Sequence, residues 1–151
     1  MKKYTHEKAH EEVDRIFKVL LPQRSMAERP EQIRLCHSIL DAMLDGGIAL
    51  CDAGTGIGKT FAYLTAGILH GKCRAAEGRP QRPILISTSS IALQNAIQKE
   101  YLPLLSGVLL SEGLVSAPIE AVIRKGKAHY VCDARLERRI RQVCLLYTSP
   151  S

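Results

Sequence analysis

The sequence predicts an α/β fold built on a parallel sheet, and two observations lead to that expectation. Short apolar runs alternate with amphipathic stretches, as they do where helices join the strands of one sheet. A glycine-rich loop, DAGTGIGKT, separates one apolar run from the next helical stretch. The chain has 151 residues, which suffices for one domain with a buried core.

Two helices are expected before the glycine-rich loop. Apolar residues at helical spacing predict an amphipathic helix over residues 7–20, which Pro22 ends. A second helix is predicted from Pro30, because proline suits a first helical turn, and Gly46 and Gly47 close it.

Three short apolar runs are the predicted strands: residues 48–51, 84–86 and 119–123. The first leads into the glycine-rich loop, and a helix follows the loop. Residues 70–83 are rich in Gly, Pro and Arg and are predicted to form a surface connection.

The third predicted helix follows a turn at residues 87–90 and runs to Tyr101. A loose segment is expected after it, because Pro103, Gly107 and Gly113 interrupt the chain there. No internal repeat or low-complexity tract is visible.

Composition limits the class of protein. The net charge of +6 favours a polyanionic partner such as nucleic acid, although a solvated basic surface accounts for it equally well. The five cysteines are odd in number and irregularly spaced, which favours reduced thiols over a disulfide framework. No signal core and no apolar run long enough for a bilayer is present, so we expect a cytoplasmic protein without a membrane segment.

Residues 53–60 match the Walker A pattern, with alanine in the first position instead of glycine. Glycines let backbone N–H groups turn towards phosphate oxygens, and a helix start adds its positive dipole end. Lys59 would reach the β- and γ-phosphates of ATP, and the Thr60 hydroxyl would hold Mg²⁺. The alternative is a glycine-rich turn with a chance GKT. The predicted nucleotide-contacting residues of the loop are Ala53, Gly54, Thr55, Gly56, Ile57, Gly58, Lys59 and Thr60.

Four motifs in order, ERPEQ, CDAGTGIGKTFAYL, LISTSSIALQNAIQ and RKGKAHYVC, resemble the DinG/XPD-type helicases of superfamily two. The resemblance runs from about residue 29 to about residue 139. It implies a P-loop NTPase fold of the RecA-like type, a three-layer parallel sheet forming an incomplete first helicase lobe. It also implies an ATP-dependent DNA helicase that couples ATP hydrolysis to strand unwinding, with a role in DNA repair.

The resemblance assigns Arg29 and Gln32 to the family's adenine-reading element. A glutamine amide offers a donor and an acceptor side by side, which suits adenine N6 and N7. The alternative is an ordinary exposed glutamine in the first turn of a helix.

The resemblance assigns Ser87, Thr88, Ser90 and Gln94 to motif Ia, which contacts single-stranded DNA. Hydroxyls and N–H groups at a helix start suit a phosphate, and such contacts grip the backbone without reading sequence. Simple capping of the helix by Ser89 or Ser90 is the alternative, and the two roles are compatible.

Cys132 corresponds in the family to the first ligand of a [4Fe–4S] cluster. Such a cluster needs four thiolates, and Cys144 lies only twelve positions further on, so the cluster is expected only in the full-length protein. Four basic residues beside Cys132 either face DNA or form a solvated turn: Arg124, Lys125, Lys127 and His129.

The predicted organisation has three parts: an N-terminal helical segment (1–28), a partial ATP-binding lobe that includes the start of the iron–sulfur insertion (29–143), and a tail that is not native (144–151). No acidic Walker B strand and no second lobe is visible, so the isolated chain is expected to be inactive. Single-stranded or forked DNA is the expected partner, and a monomer is the expected state.

Two other functions stay open at this point. One is a P-loop ATPase or nucleotide kinase with no role in nucleic-acid metabolism. The other is a module that binds nucleotide without turnover. Stimulation of ATP hydrolysis by single-stranded DNA would separate a helicase from both.

Overall fold

Every regular element in residues 4–80 and 82–147, the part of the chain that this computed structural model describes, is helical. The predicted α/β fold with a three-layer parallel sheet is therefore wrong for these residues. The three predicted strands, 48–51, 84–86 and 119–123, are irregular segments without strand pairing.

The segments predicted as strands form no sheet, and most of their apolar side chains are exposed. A strand needs a neighbouring strand to pair with its N–H and C=O groups, and a local apolar pattern does not show whether such a partner is present. Four of the apolar side chains are largely exposed: Ile48, Leu50, Leu85 and Val122, with Leu50 at 96%. Ile84 instead lies against Gly67, where an added Cβ would be 2.6 Å from its Cδ1 atom.

The first helix, α1 (His6–Arg15), is capped by Thr5, whose hydroxyl accepts a hydrogen bond from the Lys8 N–H at 3.2 Å. One π-helical turn, Ile16–Leu20, continues it, and a 3-10 turn, Pro22–Arg24, follows. The predicted amphipathic helix is confirmed, and its apolar face is buried.

The second helix, α2 (Pro30–Asp45), is also confirmed. Pro30 stands in its first turn, and Gly46 ends it in the left-handed region at φ +67°, with its N–H donating to the Ala42 carbonyl. Cys36 and Leu40 of α2 are fully buried.

The third helix, α3 (Lys59–Ala76), is longer than predicted. Its last seven residues lie in the predicted surface connection, 70–83. Leu69 and Cys73 are buried on the core, and this packing outweighs the cost of about 1 kcal/mol for Gly71 in a helix interior.

A continuous helical stretch follows the irregular segment 84–86. It comprises α4 (Ile91–Ala96), a π-helical turn (Ile97–Tyr101) and α5 (Leu102–Ser111), so the loose segment predicted at Pro103 and Gly107 is wrong. Pro103 stands in the first turn of α5, where its missing N–H is tolerated, and burial of the apolar face of α5 stabilises the helix.

Helix α3 lies at the centre of the core and contacts α1, α2, α5 and the second π turn. The buried Glu12 of α1 accepts hydrogen bonds from the Tyr4 hydroxyl, at 2.7 Å, and from the Lys72 ammonium of α3. Burial and the contact with Glu12 raise the pKa of Tyr4 above its ordinary value. Burial also raises the pKa of the Cys36 thiol.

The chain divides into two compact units, one up to Ala121 and one from Val122 onward. The second unit contains a 3-10 turn, Lys127–His129, and helix α6 (Asp133–Tyr147). Within the described ranges, no helix is both long and apolar enough to cross a membrane. The predicted domain bounds stay a prediction, and the end of the predicted tail, 148–151, lies outside the described residues.

Candidate nucleotide-binding site

The glycine loop (residues 53–60) enters α3 through two glycines in the left-handed region. Gly56 and Gly58 both have φ of +84°, and Gly58 is the N-cap residue of α3. A Cβ added at Gly58 would lie 2.0 Å from Nε2 of Gln32, whereas one added at Gly56 would meet nothing within 4 Å. The backbone conformation therefore favours glycine at position 58, and a side chain there would displace the Gln32 amide.

Two residues at the start of α2 hold the glycine loop. Nε2 of Gln32 donates to the Gly58 carbonyl at 2.7 Å, and the Arg29 guanidinium donates to the Gly56 carbonyl. Gln32 is only 4% exposed. The structure thus brings ERPEQ and the glycine loop together, and the glutamine is not the ordinary exposed residue of the alternative interpretation.

Lys59, the first residue of α3, reaches back over the glycine loop. Its Nζ atom donates to the Ala53 carbonyl at 2.9 Å and to the Gly54 carbonyl at 2.7 Å. Lys59 is exposed, so this charge is accessible to a ligand that approaches the loop.

The start of α3 has the features of an anion site. No side chain caps it, and the first N–H groups of a helix have no acceptor within the helix. The dipole of α3 adds partial positive charge at the same end. Thr60 follows Lys59 in this first turn and is half-buried. N–H donors, an ammonium and a hydroxyl are the groups that a nucleotide phosphate with bound Mg²⁺ requires.

The glycine loop borders a cleft of about 630 Å³, a size typical of small-molecule sites. Residues that the sequence interpretation missed also line it: Ser25, Met26, Ala27, Phe61 and Tyr101. The rings of Phe61 and Tyr101 meet edge to face, with centroids 5.4 Å apart. The position of Phe61 directly after the Walker A pattern is the one sequence feature that could have indicated a cleft residue. The contact with Tyr101 depends on the packing of α3 against the second π turn.

The motif Ia segment (residues 87–94) is held by short-range hydrogen bonds. The Ser90 hydroxyl caps α4 by accepting from the Leu93 N–H at 3.2 Å, as the capping alternative expects. The Thr88 hydroxyl accepts from the Ser90 N–H at 3.1 Å, and Nε2 of Gln94 donates to the Thr88 carbonyl at 3.1 Å. Ser87 is exposed.

Comparison with known proteins identifies relatives of this chain. It is 32% identical over 123 residues to the ATP-dependent DNA helicase YoaA of Escherichia coli (strain K12), covering 82% of this chain and 15% of that protein. It is 31% identical over 115 residues to the 3'-5' exonuclease DinG of Bacillus subtilis (strain 168), covering 76% of this chain and 11% of that protein. The chain is a relative of the DinG and YoaA proteins.

The resemblance to DinG-type helicases is thereby confirmed. A third relative, the ATP-dependent DNA helicase YoaA of Haemophilus influenzae, is 32% identical over 114 residues, covering 76% of this chain and 15% of that protein. The chain spans between 11 and 15% of the length of these three curated relatives. No protein-family model matches the chain, and no solved structure matches it.

In this DinG/YoaA relative, Cys132 is an exposed free thiol directly before α6. Its carbonyl accepts from the Arg135 and Leu136 N–H groups, both at 2.9 Å. Among the residues that the structure describes, no three His, Cys, Asp or Glu side chains form a group that could hold a metal ion. One thiol does not fit a four-thiolate cluster, so the described residues assemble no such site.

Proposed function

We propose that this chain binds Mg-ATP at the glycine loop and single-stranded DNA at the motif Ia segment, as part of an ATP-dependent DNA helicase with a role in DNA repair. The DNA helicases and the exonuclease among its relatives support an enzyme that acts on DNA. The observation that carries the proposal is the position of Lys59. Its ammonium donates hydrogen bonds to two carbonyls of the glycine loop, beside the start of a helix that no side chain caps.

On phosphate binding, the Lys59 ammonium would give up its hydrogen bonds to the loop carbonyls and donate to phosphate oxygens instead. The carbonyls of Ala53 and Gly54 are neutral acceptors, and a β- or γ-phosphate oxygen carries charge and forms the stronger, charge-assisted hydrogen bond. The N–H groups at the start of α3 would bind the same phosphates. The whole loop from Ala53 through Gly54, Thr55, Gly56, Ile57 and Gly58 to Thr60 is proposed as this cradle.

Magnesium would be held by Thr60. A hydroxyl oxygen and phosphate oxygens are the hard ligands that Mg²⁺ prefers, and water completes its octahedron. Mg²⁺ supplies neutralisation of the phosphate charge when it is bound, while Lys59 and Thr60 position the phosphates from the protein side.

Base selection is proposed for Gln32 and Arg29, together with the cleft that the Phe61 and Tyr101 rings line. In the structure the Nε2 atom of Gln32 donates to the Gly58 carbonyl, so Gln32 also braces the loop. The Gln32 amide could contact the adenine base and the loop at the same time. One Nε2 hydrogen binds the Gly58 carbonyl, while the second hydrogen and the Oε1 acceptor stay available for the base. Preference for ATP would thus be linked to the shape of the glycine loop.

DNA contact is proposed for Ser87, Thr88, Ser90 and Gln94. Hydroxyl and amide groups bind phosphate without reading base sequence, which suits movement along a strand. The basic net charge of +6 favours the same partner.

Hydrolysis by the chain alone is proposed to be negligible. Binding phosphates does not by itself stabilise a transition state, and phosphoryl transfer needs a positioned water and further positive charge. The chain alone would therefore act as a nucleotide-binding module without turnover, and Cys132 would serve a cluster only in a longer protein.

The test measures DNA binding by fluorescence anisotropy with labelled oligothymidine. We expect binding that weakens as salt is raised, and a loss of affinity of several-fold in the double variant Ser87→Ala, Thr88→Ala. Ser38→Ala, which removes an exposed hydroxyl on α2, is the matched control and should bind as the unmodified chain does. Binding of Mg-ATP without any binding of oligothymidine would favour the P-loop ATPase or nucleotide kinase instead.

A further inference from the structure

Two histidine–aspartate pairs lie on the facing sides of α1 and α2, away from the glycine loop. His10 and Asp14 stand four residues apart on α1, and His37 and Asp41 stand four residues apart on α2. Residues at this spacing share one face of a helix. The two imidazole rings are nearly parallel, with centroids 5.0 Å apart and an interplanar angle of 18°.

The aspartates bind the histidines crosswise between the helices. Nε2 of His10 lies 3.0 Å from Oδ1 of Asp41, and Nε2 of His37 lies 3.4 Å from Oδ1 of Asp14. Nζ of Lys18 also lies 3.0 Å from Oδ1 of Asp14, so this carboxylate pairs with a cation and accepts on the side that faces His37.

The two Nδ1 atoms face each other at 2.7 Å. A neutral imidazole carries one N–H, and a carboxylate only accepts, so each carboxylate favours the tautomer with its hydrogen on Nε2. Both Nδ1 atoms then present lone pairs to one another. Two lone pairs at hydrogen-bonding distance repel, and a cation between them removes the repulsion.

We propose that the Nδ1 atoms of His10 and His37 bind one divalent transition-metal ion, with Asp14 and Asp41 orienting the rings. Imidazole nitrogen suits Zn²⁺, Cu²⁺ and Ni²⁺, and a carboxylate on the second ring nitrogen is the usual outer partner of a metal-bound histidine.

The geometry requires a small adjustment. Two nitrogens about 2.0–2.1 Å from a tetrahedral Zn²⁺ lie roughly 3.3 Å apart. The Nδ1 atoms would therefore separate slightly, which rotation of the two side chains allows. His10 and His37 are 29% and 27% exposed at their side chains, so water can complete the coordination.

A bound ion would join α1 to α2, the helix whose first turn holds the glycine loop through Gln32. The site would then stabilise the scaffold without taking part in nucleotide binding. The proposal does not depend on the proposed function.

The first experiment measures Zn²⁺ binding to the whole chain by isothermal titration calorimetry and by the shift of the thermal midpoint. Cys51→Ser, Cys132→Ser and Cys144→Ser are introduced first, so that no thiol other than the buried Cys36 and Cys73 remains to bind the ion. We expect Zn²⁺ to raise the midpoint and Mg²⁺, which prefers oxygen ligands, to leave the His–His site empty.

Variants assign the binding to the pair. His37→Gln should reduce the affinity for Zn²⁺ at least tenfold, whereas His129→Gln, an exposed histidine of the other unit, should not change it. Asp41→Asn should lower the affinity about tenfold, as loss of an outer-shell partner does. Equal affinity in His37→Gln and the parent chain would overturn the proposal.

Histidine nitrogen NMR of the parent chain needs no variant at the site. We expect the Nδ1 signals of both rings to move when Zn²⁺ is added, while both Nε2 atoms keep their hydrogens. If the two Nδ1 atoms share a proton and their signals do not respond to Zn²⁺, the pair is a proton-sharing contact and the metal proposal is wrong.

Discussion

The glycine loop and the motif Ia segment are both predicted to contact phosphate, yet they are held in different ways. The glycine loop is braced by Arg29 and Gln32, which lie 27 and 26 positions from their acceptors in the chain. The motif Ia segment is held by Thr88, Ser90 and Gln94 through bonds that span at most six positions.

This difference shows how each segment would meet a ligand. The tertiary structure sets the shape of the glycine loop, so a phosphate would find its donors already in place. The motif Ia segment depends on its own cap, and DNA would have to compete for the Ser90 hydroxyl that caps the start of α4. Substitutions in the first region should therefore change global stability and nucleotide binding together, and those in the second should act locally.

The largest effect on stability is expected from Gly58→Ala. The left-handed conformation costs an L-residue about 1–2 kcal/mol, and the new Cβ would also displace the Gln32 amide. We expect a loss of about 2 kcal/mol or more in the free energy of unfolding and at least a tenfold loss of affinity for Mg-ATP. Urea denaturation and calorimetry measure both quantities.

Two other glycines of the loop serve as controls for that variant. Gly56→Ala carries the same strained φ without a neighbour, so it should lose only about 1–2 kcal/mol. Gly54→Ala, which has neither feature, should keep the free energy of unfolding of the unmodified chain. Equal losses of stability in Gly58→Ala and Gly54→Ala would contradict the role given to the contact between Gln32 and Gly58.

A smaller effect is expected from Gln32→Ala, which removes the hydrogen bond to the Gly58 carbonyl. The free energy of unfolding should fall by about 1 kcal/mol, and the preference for ATP over GTP should relax. Competition between the two nucleotides measures the preference, with Gln98→Ala, an exposed glutamine, as control. Equal binding of ATP and GTP by the unmodified chain would rule out Gln32 as the base reader.

The smallest effect is expected from Ser90→Ala. Loss of an N-cap costs about 1 kcal/mol, but α4 is short and can fray without unfolding the core. Amide hydrogen exchange should accelerate in α4 alone, and Ser90→Asn, which keeps a cap, should restore protection. A matching loss of Mg-ATP affinity would show that the two segments are coupled, and would contradict a purely local role for the motif Ia segment.

Sequence patterns predicted the parts of the fold that depend on local chemistry. The helical faces of α1 and α2 and the ends set by Pro30 and Gly46 follow from spacing and capping. The prediction of a parallel sheet was wrong, because an apolar run such as 48–51 shows β propensity but does not show whether a pairing strand is present.

The site was predicted to a similar extent. The Walker A pattern and ERPEQ located Lys59 and Gln32, and the structure places both at one cleft. The brace from Gln32 to Gly58 and the contact of Phe61 with Tyr101 could not be predicted, because both depend on how distant segments pack. Whether these residues bind nucleotide stays a prediction.

The central claim is that Lys59 exchanges the loop carbonyls for nucleotide phosphates, and titration of the chain with Mg-ATP tests it most directly. Lys59→Ala should lose about 2–3 kcal/mol of binding free energy, roughly a hundredfold in affinity, because a charge-assisted contact is removed. Lys99→Ala, an exposed lysine outside the cleft, should bind as the unmodified chain does. Unchanged affinity in Lys59→Ala would contradict the assignment of the glycine loop as a phosphate site.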